Sequence, residues 1–300
     1  MKSFSIKNIL LASVLVLVLI SPAFANVKVA ATIYPIHDIV RQIGGDRVES
    51  FYLVPIGASP HTFAPTPQLL ARMESSQIVF AVGLGVDDWV SRAMESKTGG
   101  PVIVSLSEGL TDQLQHELEH GHHEEHHGHD GINPHIWLDP EMIPRIAERI
   151  RDSLIDADPD GASAYRANTQ KLIDAFKDFE ARTLPQFEQY KGRAIVVVHS
   201  AYDYLCHWLG IEQLVITVSP GAEPSAGSLA ELITNARKHN AGAVYREPQL
   251  SSRVAQTLAQ ELGVPLLVLD PLGDPAVQGR DTLLGLYNFN VQQILKGFER

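Results

Sequence analysis

Short apolar runs alternate along this 300-residue chain with longer segments of helical periodicity. This alternation is typical of βα units, in which each helix returns the chain to the next strand of a parallel sheet. The predicted strands form two groups of four, at residues 27–33, 49–54, 77–82 and 102–105, and at residues 194–198, 213–218, 243–245 and 266–269. Thr66 before Pro67, and Asp139 before Pro140, are predicted to cap helices. We therefore expect an α/β protein of two similar lobes, each with a four-stranded, mostly parallel sheet.

A polar-rich segment of helical spacing separates the two groups of strands. Its apolar residues recur on one face of a helix: Leu172, Ile173, Phe176 and Phe179. A helix of roughly 25 residues would cover nearly 40 Å at about 1.5 Å per residue. We predict that residues 158–190 form one linking helix between an N-terminal lobe, residues 26–157, and a C-terminal lobe, residues 191–300. An ordinary surface helix of the second lobe is the alternative.

The first residues have the composition of an export signal. Two lysines precede an apolar run over residues 9–20, and small residues follow at Ala23 and Ala25. A run of twelve residues is too short to span a bilayer comfortably. We therefore expect residues 1–25 to be a cleaved signal peptide. The mature chain would begin at Asn26 rather than at a lipid-modified cysteine, which favours the periplasm.

The charge of the chain favours a cation as its partner. Removing residues 1–25 takes away two lysines and no acids, so the formal net charge falls from −11 to −13. Nucleic acid is an unsuitable partner for such a chain, because binding it requires clustered positive charge. Cys206 is the only cysteine, so no intrachain disulfide can form and a packing role is expected for it. We expect a monomer.

A dense histidine tract lies near the middle of the first lobe. It contains seven histidines within fourteen residues: His116, His120, His122, His123, His126, His127 and His129. Acidic residues and glycines separate them without apolar periodicity, which predicts a His-rich loop over residues 114–131. Neutral imidazole is a common ligand of transition metals, so weak metal binding is expected here. Either the loop collects metal at low affinity, or it is a solvated loop that binds metal adventitiously.

Four further residues with metal-ligating side chains stand near predicted strand ends. His199 directly follows residues 195–198, and Asp270 directly follows residues 266–269. His61 lies in the loop after the second strand of the first lobe, and His135 follows the histidine tract. Open parallel sheets place their functional groups at the carboxyl ends of their strands. We therefore expect two groups from each lobe to meet in the cleft between the lobes.

Three imidazoles and one carboxylate form a suitable tetrahedral site for Zn²⁺. Mn²⁺ prefers more oxygen ligands, so the same set favours zinc over manganese. Glu247, at the end of another predicted strand, is a possible alternative to Asp270 as the fourth ligand. A carboxylate that orients one of the histidines is the other interpretation of Glu247.

Six segments of the chain together resemble the signature blocks of one protein family. They are PHTFAPTP at 60–67, PHIWLDP at 134–140, HSAYDY at 199–204, SPGAEPS at 219–225, EPQ at 247–249 and LDPLG at 269–273. In this set and order they resemble the zinc and manganese solute-binding proteins of ABC importers, of the ZnuA/TroA type. The resemblance extends over essentially the whole chain after residue 25.

The resemblance implies two βα lobes bridged by one long helix, with the metal in the cleft between them. Position by position, it implies the same four ligands, His61, His135, His199 and Asp270, and in some zinc-specific relatives water or another acid takes the fourth place. The implied partners are an inner-membrane ABC permease and its cytoplasmic ATPase. Two alternatives stay open: a manganese or iron protein of the same class, and a zinc hydrolase with Glu247 as its base. Against the hydrolase, no predicted helix carries a His-Glu-x-x-His motif: the strings that match it, at 116–120 and 123–127, lie in the histidine tract, which has no apolar periodicity.

Overall fold

The computed structural model of this protein describes residues 26–95, 97–110, 132–216 and 224–299. The predicted signal peptide, residues 1–25, lies outside the described residues. So does the histidine tract: all seven of its histidines fall between residues 111 and 131. Among the described helices, none combines the length and the apolar character that crossing a membrane requires.

The strands form two separate four-stranded sheets in which every pairing is parallel. The first sheet contains β1 (Val27–Ala31), β2 (Val48–Tyr52), β3 (Ile78–Ala81) and β4 (Val102–Ser105). The second contains β5 (Ala194–Val197), β6 (Glu212–Val215), β7 (Val244–Arg246) and β8 (Leu266–Val268). Both sheets have the same order, β2-β1-β3-β4 and β6-β5-β7-β8. The predicted α/β fold with two parallel four-stranded sheets is therefore confirmed.

The described helices alternate with these strands. They are α1 (Tyr34–Gly44), α2 (Pro67–Glu74), α3 (Trp89–Met94), α4 (Ile143–Ala157), α5 (Ala162–Phe187), α6 (Asp203–Leu209), α7 (Ala226–Lys238), α8 (Arg253–Leu262) and α9 (Leu283–Phe298). Thr66 caps α2 as predicted, since its hydroxyl accepts a hydrogen bond from the Leu69 amide. The predicted cap at Asp139 is wrong. Its carboxylate accepts from the Glu141 amide within a turn, and α4 begins only at Ile143.

Helix α5 is the long helix that links the two sheets. Its 26 residues stand between β4 of the first sheet and β5 of the second, and it packs against α1, α4 and α9. On its buried face, Phe179 stacks on Trp208 with ring centroids 5.6 Å apart, and Tyr287 of α9 contacts both Phe176 and Phe179 edge-on. Burial of this apolar face stabilises a helix of such length much more than intrinsic propensity does.

The two lobes share one hydrophobic core. The largest buried cluster contains residues of both sheets, of α5 and of α9, and each lobe has a smaller cluster of its own. Hydrogen bonds cross between the lobes beside this core. The Trp137 indole donates to the Pro271 carbonyl at 2.7 Å, and the Leu283 amide at the start of α9 donates to Asp38 of α1 at 2.8 Å. These two hydrogen bonds, together with the shared core, join the two lobes to each other.

Cys206 lies on α6 and is only 2% exposed. Burial, together with the nearby Asp203 carboxylate, raises the pKa of its thiol well above the usual range. An inert thiol of this kind packs as a small apolar side chain, which agrees with the role predicted from the sequence.

Candidate metal centre

Three of the predicted ligands come from three different segments of the fold. His61 is half-buried in the loop that follows β2, and His135 precedes the short helical turn Ile136–Leu138. His199 stands two residues after β5, at the carboxyl end of a central strand of the second sheet. His135 and His199 are 3% and 5% exposed, so their rings lie inside the protein between the lobes.

The three imidazole rings converge on one point. Nε2 of His135 lies 2.9 Å from Nε2 of His61 and 3.3 Å from Nε2 of His199. One ligand atom from each of the three histidines lies within 4.8 Å of the other two. A tetrahedral zinc ion with Zn–N bonds of 2.0–2.1 Å would hold its nitrogens about 3.4 Å apart. Small ring movements would therefore open this cluster to the geometry of a bound ion.

Hydrogen bonds at the far side of two rings orient them toward this point. Nδ1 of His135 lies 2.6 Å from Oδ1 of Asn133, and Nδ1 of His199 lies 2.8 Å from Oε1 of Glu247. Because these oxygens are acceptors, we assign the ring proton to Nδ1 in both histidines. The lone pair of each Nε2 then faces the other rings, and this tautomer is the one that ligates a metal through Nε2.

The charge state of His61 also suits a metal ligand. Burial, reinforced by the neighbouring His199, lowers the pKa of His61 to about 4 from its ordinary value of 6.5. The ring is therefore neutral at neutral pH, and its lone pair is available without loss of a proton.

Glu247, placed directly after β7, contacts the site through His199. The residue is 2% exposed, and burial raises the pKa of its carboxyl group, an effect that the neighbouring His199 ring opposes. One oxygen, Oε1, bonds to Nδ1 of His199, while Oε2 is buried without a hydrogen-bond partner. A carboxylate that orients a metal-ligating histidine makes such a contact, and this role of Glu247 stays a prediction.

Asp270 stands two residues after β8, and both of its carboxylate oxygens already have partners. Oδ2 accepts from the Arg280 guanidinium at 2.7 Å. Oδ1 accepts from the side-chain amide of Gln249 and from the backbone amides of Leu272 and Gly273. Asp270 is also absent from the group of side chains whose ligand atoms meet, which among the described residues contains only the three histidines. Its ligation of the ion stays a prediction.

Sequence analysis missed three polar residues that act around the site. Asn133 bonds to the His135 ring and also donates to the Ser200 carbonyl of the other lobe at 2.6 Å. Gln249 and Arg280 both bond to Asp270. The motif Asn-Pro-His at 133–135 was a signal for the first, because an amide two residues from a histidine can reach its ring. Nothing in the sequence pattern indicates Arg280.

The cavity beside the histidines is small. It is lined by residues of both lobes: Ser59, Pro60, His61, His135, Trp137, His199, Glu247, Gln249, Leu250, Pro271 and Leu272. A larger cavity of about 290 Å³ lies in the first lobe, between Gly83 and Ser105, and contains none of the predicted ligands. The Asp87 carboxylate at its wall accepts from the Val82 and Gly83 amides, which is a structural role. The three converging histidines therefore line the small cavity between the lobes and not the larger one.

Two parallel-sheet lobes on a long linking helix, with inward-facing imidazoles in the cleft between them, define a class of two-lobed metal-binding proteins. Comparison with known proteins gives the family. The family model described as zinc-uptake complex component A, periplasmic (ZnuA), matches residues 29–297. The chain belongs to the ZnuA family.

Individual relatives agree with this assignment. The chain is 31% identical to the high-affinity zinc uptake system protein ZnuA of Bacillus subtilis over 279 residues, covering 90% of this chain and 86% of that protein. It is 30% identical to the zinc-binding lipoprotein AdcA of Streptococcus pneumoniae over 275 residues, or 88% of this chain, and spans about half, 55%, of AdcA. A crystal structure of ZnuA superposes with a TM-score of 0.77 at 26% identity, covering 89% of this chain and 97% of that one.

Proposed function

We propose that this protein is the zinc-binding component of an ABC importer, which captures Zn²⁺ between its lobes and delivers it to a membrane permease. The observation that carries the proposal is the convergence of His61, His135 and His199, each of which places one ligand atom within 4.8 Å of the other two. The zinc-named relatives and the family support the same function. The partners would be a permease in the inner membrane and its cytoplasmic ATPase.

The donor set favours zinc over manganese. Imidazole nitrogen is a good ligand for the borderline Zn²⁺, whereas Mn²⁺ is better served by oxygen. Asp270, the carboxylate predicted as fourth ligand, is bonded to Arg280 and would have to exchange that guanidinium for the ion. Glu247 would likewise have to leave His199. A manganese or iron protein of the same class is the alternative, and competitive titration of the two metals against zinc separates them.

The proposal includes the location and organisation of the chain. Residues 1–25 would direct export to the periplasm and be cleaved. Residues 26–157 would form one metal-binding lobe and residues 191–300 the other, with residues 158–190 as the link. A hydrolase is disfavoured, because the family is one of zinc-uptake components. Absence of turnover by the zinc-loaded protein on ester, peptide and phosphate substrates would exclude it.

Isothermal titration with zinc after chelation tests the metal site. We expect one tight site in the parent protein and its loss in His61→Ala and in His199→Ala, because each substitution removes one of three nitrogen ligands. His207→Ala is the matched control, since His207 is an exposed histidine of α6. Full affinity in both ligand variants would refute the site.

For the histidine tract we propose the low-affinity collector role. Deletion of residues 114–131 should leave the tight site intact, because none of the three converging histidines lies in that segment. The same deletion should slow zinc uptake when the metal is scarce. Cells that carry the deletion and take up scarce zinc as fast as the parent would contradict the collector role.

A further inference from the structure

The two carboxylate oxygens of Asp270 are held in different ways. Oδ1 accepts three hydrogen bonds, from the side-chain amide of Gln249 and from the backbone amides of Leu272 and Gly273. Oδ2 has one hydrogen-bond partner among the residues that the structure describes, the Arg280 guanidinium at 2.7 Å. Oδ1 therefore anchors the carboxylate, whereas Oδ2 can change its partner by the exchange of a single bond.

The segment between Asp270 and Arg280 folds back on itself and brings the guanidinium to the carboxylate. A backbone hydrogen bond of 3.0 Å joins the Asp274 amide to the Arg280 carbonyl. Gly273 allows this close approach, since a Cβ at its position would lie 2.7 Å from the same carbonyl oxygen. The guanidinium also lies over the ring of Phe289 on α9, 5.2 Å from its centre. The fold therefore holds this cation in place from two sides.

Asp270 stands directly behind the wall of the cavity that contains the three histidine rings. The next residue, Pro271, lines this cavity, and so does Gln249, whose amide bonds to Asp270. A zinc ion with three imidazole ligands has room for a fourth, and Oδ2 is the predicted donor. A guanidinium and a divalent ion on the same oxygen repel each other, so each weakens the binding of the other. Arg280 and the ion are therefore competitors for one oxygen atom.

We propose that Arg280 is a positioning residue that acts through Asp270 and speeds the release of zinc, because it competes with the ion for Oδ2 and bonds to this oxygen again as the ion leaves. The inference rests on the proposed function and on the predicted ligation by Asp270. Oδ1 keeps its three bonds during the exchange, so the backbone around Asp270 can stay in place. Removing the oxygen from the ion costs less when a charged partner is ready to accept it.

Zinc dissociation is measured by mixing the zinc-loaded protein with an excess of a chromophoric chelator. The parent is compared with Arg280→Met, which keeps an unbranched apolar stem but has neither charge nor donor. Arg47→Met is the matched control. Arg47 pairs with Asp158 at 2.7 Å before the start of β2, and its side chain is 18% exposed against 19% for Arg280. Arg280→Gln provides a second variant, and thermal unfolding shows which of the two is folded.

We expect zinc to leave Arg280→Met at least about tenfold more slowly than it leaves the parent and Arg47→Met. This factor corresponds to the loss of one competing hydrogen bond between charged groups. The same substitution is then made in an Asp270→Asn background, which has no anionic oxygen for Arg280 to compete for. There it should leave the dissociation rate unchanged, because the two side chains act as one unit.

Equal dissociation rates in the parent and in the folded Arg280 variants would overturn the inference. So would an equal slowing in the Asp270→Asn background, since the guanidinium would then act on the ion by its charge alone. A parent protein whose zinc affinity is unchanged by His61→Ala and by His199→Ala would instead refute the proposed function.

Discussion

At the scale of single residues, hydrogen bonds orient His135 and His199, and burial keeps His61 neutral at neutral pH. Asn133 and Glu247 each accept the Nδ1 proton of one ring, and burial keeps a proton off His61. Asn133 has a further consequence, because its amide also donates to the Ser200 carbonyl beside His199. The orientation of His135 is thereby coupled to the position of the opposite lobe.

The lowered pKa of His61 predicts a pH-dependent stability of the metal-free protein. In the unfolded chain His61 takes up a proton near pH 6.5, whereas in the folded protein it does so only near pH 4. Well above pH 6.5 His61 therefore has almost no effect on the free energy of unfolding. As the pH falls from 6.5 toward 4, only the unfolded chain takes up the proton, so His61 lowers the free energy of unfolding more and more. From pH 7.5 to 5, the free energy of unfolding should fall by about 2 kcal/mol on account of this residue.

Urea unfolding at the two pH values, for the parent and for His61→Gln, measures the contribution of His61. Glutamine does not titrate, and every other titrating group is common to both proteins. The stability of the parent should therefore fall more steeply than that of the variant. If the free energy of unfolding fell equally in the parent and in His61→Gln, the pKa of His61 would not be lowered in the folded protein.

Sequence reasoning singled out the three converging histidines, but the strand-end argument applies directly only to His199, which follows β5. His61 and His135 lie in connecting segments, whose path to the same point the pattern does not determine. It could not determine what surrounds Asp270. Arg280 lies ten residues further on, in a segment without regular structure. Its bond to the Asp270 carboxylate depends on the path that this segment takes, which the sequence pattern does not reveal. Gln249 belongs to a segment quoted for its resemblance, but its contact with Asp270 depends on the pairing of β7 with β8.

At the scale of elements, α5 depends on aromatic packing along one face. Phe179 is 1% exposed, stacks on Trp208 and contacts Tyr287 edge-on. The helical spacing of the apolar residues predicted this buried face and the length of the helix. The start of α4 was not predictable from Asp139, because a carboxylate followed by proline can close a turn as well as begin a helix.

Removing the Phe179 ring should destabilise the protein without removing any of the three converging histidines. Phe179→Ala leaves a cavity in a closely packed aromatic group, and we expect a loss of about 3–5 kcal/mol in the free energy of unfolding. Lys171→Ala, at an exposed position of the same helix, should change stability by less than about 0.5 kcal/mol. Urea unfolding gives both values.

Zinc titration of the folded Phe179→Ala protein completes this test. The affinity should equal that of the parent, since the three histidines come from other segments. If Phe179→Ala lowered the free energy of unfolding as little as Lys171→Ala does, the aromatic face would contribute little to the stability of α5.

At the scale of the whole molecule, the two lobes are joined by much more than one linker. The shared core, the long helix α5 and the bond between Asp38 and α9 all connect them. A hinge that opened widely would have to expose this core and break these bonds. Binding and release of an ion are therefore expected to use small movements of the ligand loops and of one lobe edge.

Small-angle X-ray scattering measures how far the molecule closes. A compact chain of about 275 residues has a radius of gyration of about 19 Å. The radii of the zinc-free and zinc-loaded proteins should differ by less than about 1 Å, because the interface between the lobes is already formed. A larger change on zinc binding would show that the shared core opens.

The buried indole of Trp137 gives this protein an internal optical reporter. Its ring lies 5.2 Å from that of His135 and its nitrogen bonds to the Pro271 carbonyl of the other lobe. Only two other tryptophans, Trp89 and Trp208, would contribute background emission. We therefore expect the Trp137 emission to change when an ion binds beside His135 and when the lobes separate. Both events can then be followed in real time in the natural chain, without an attached dye.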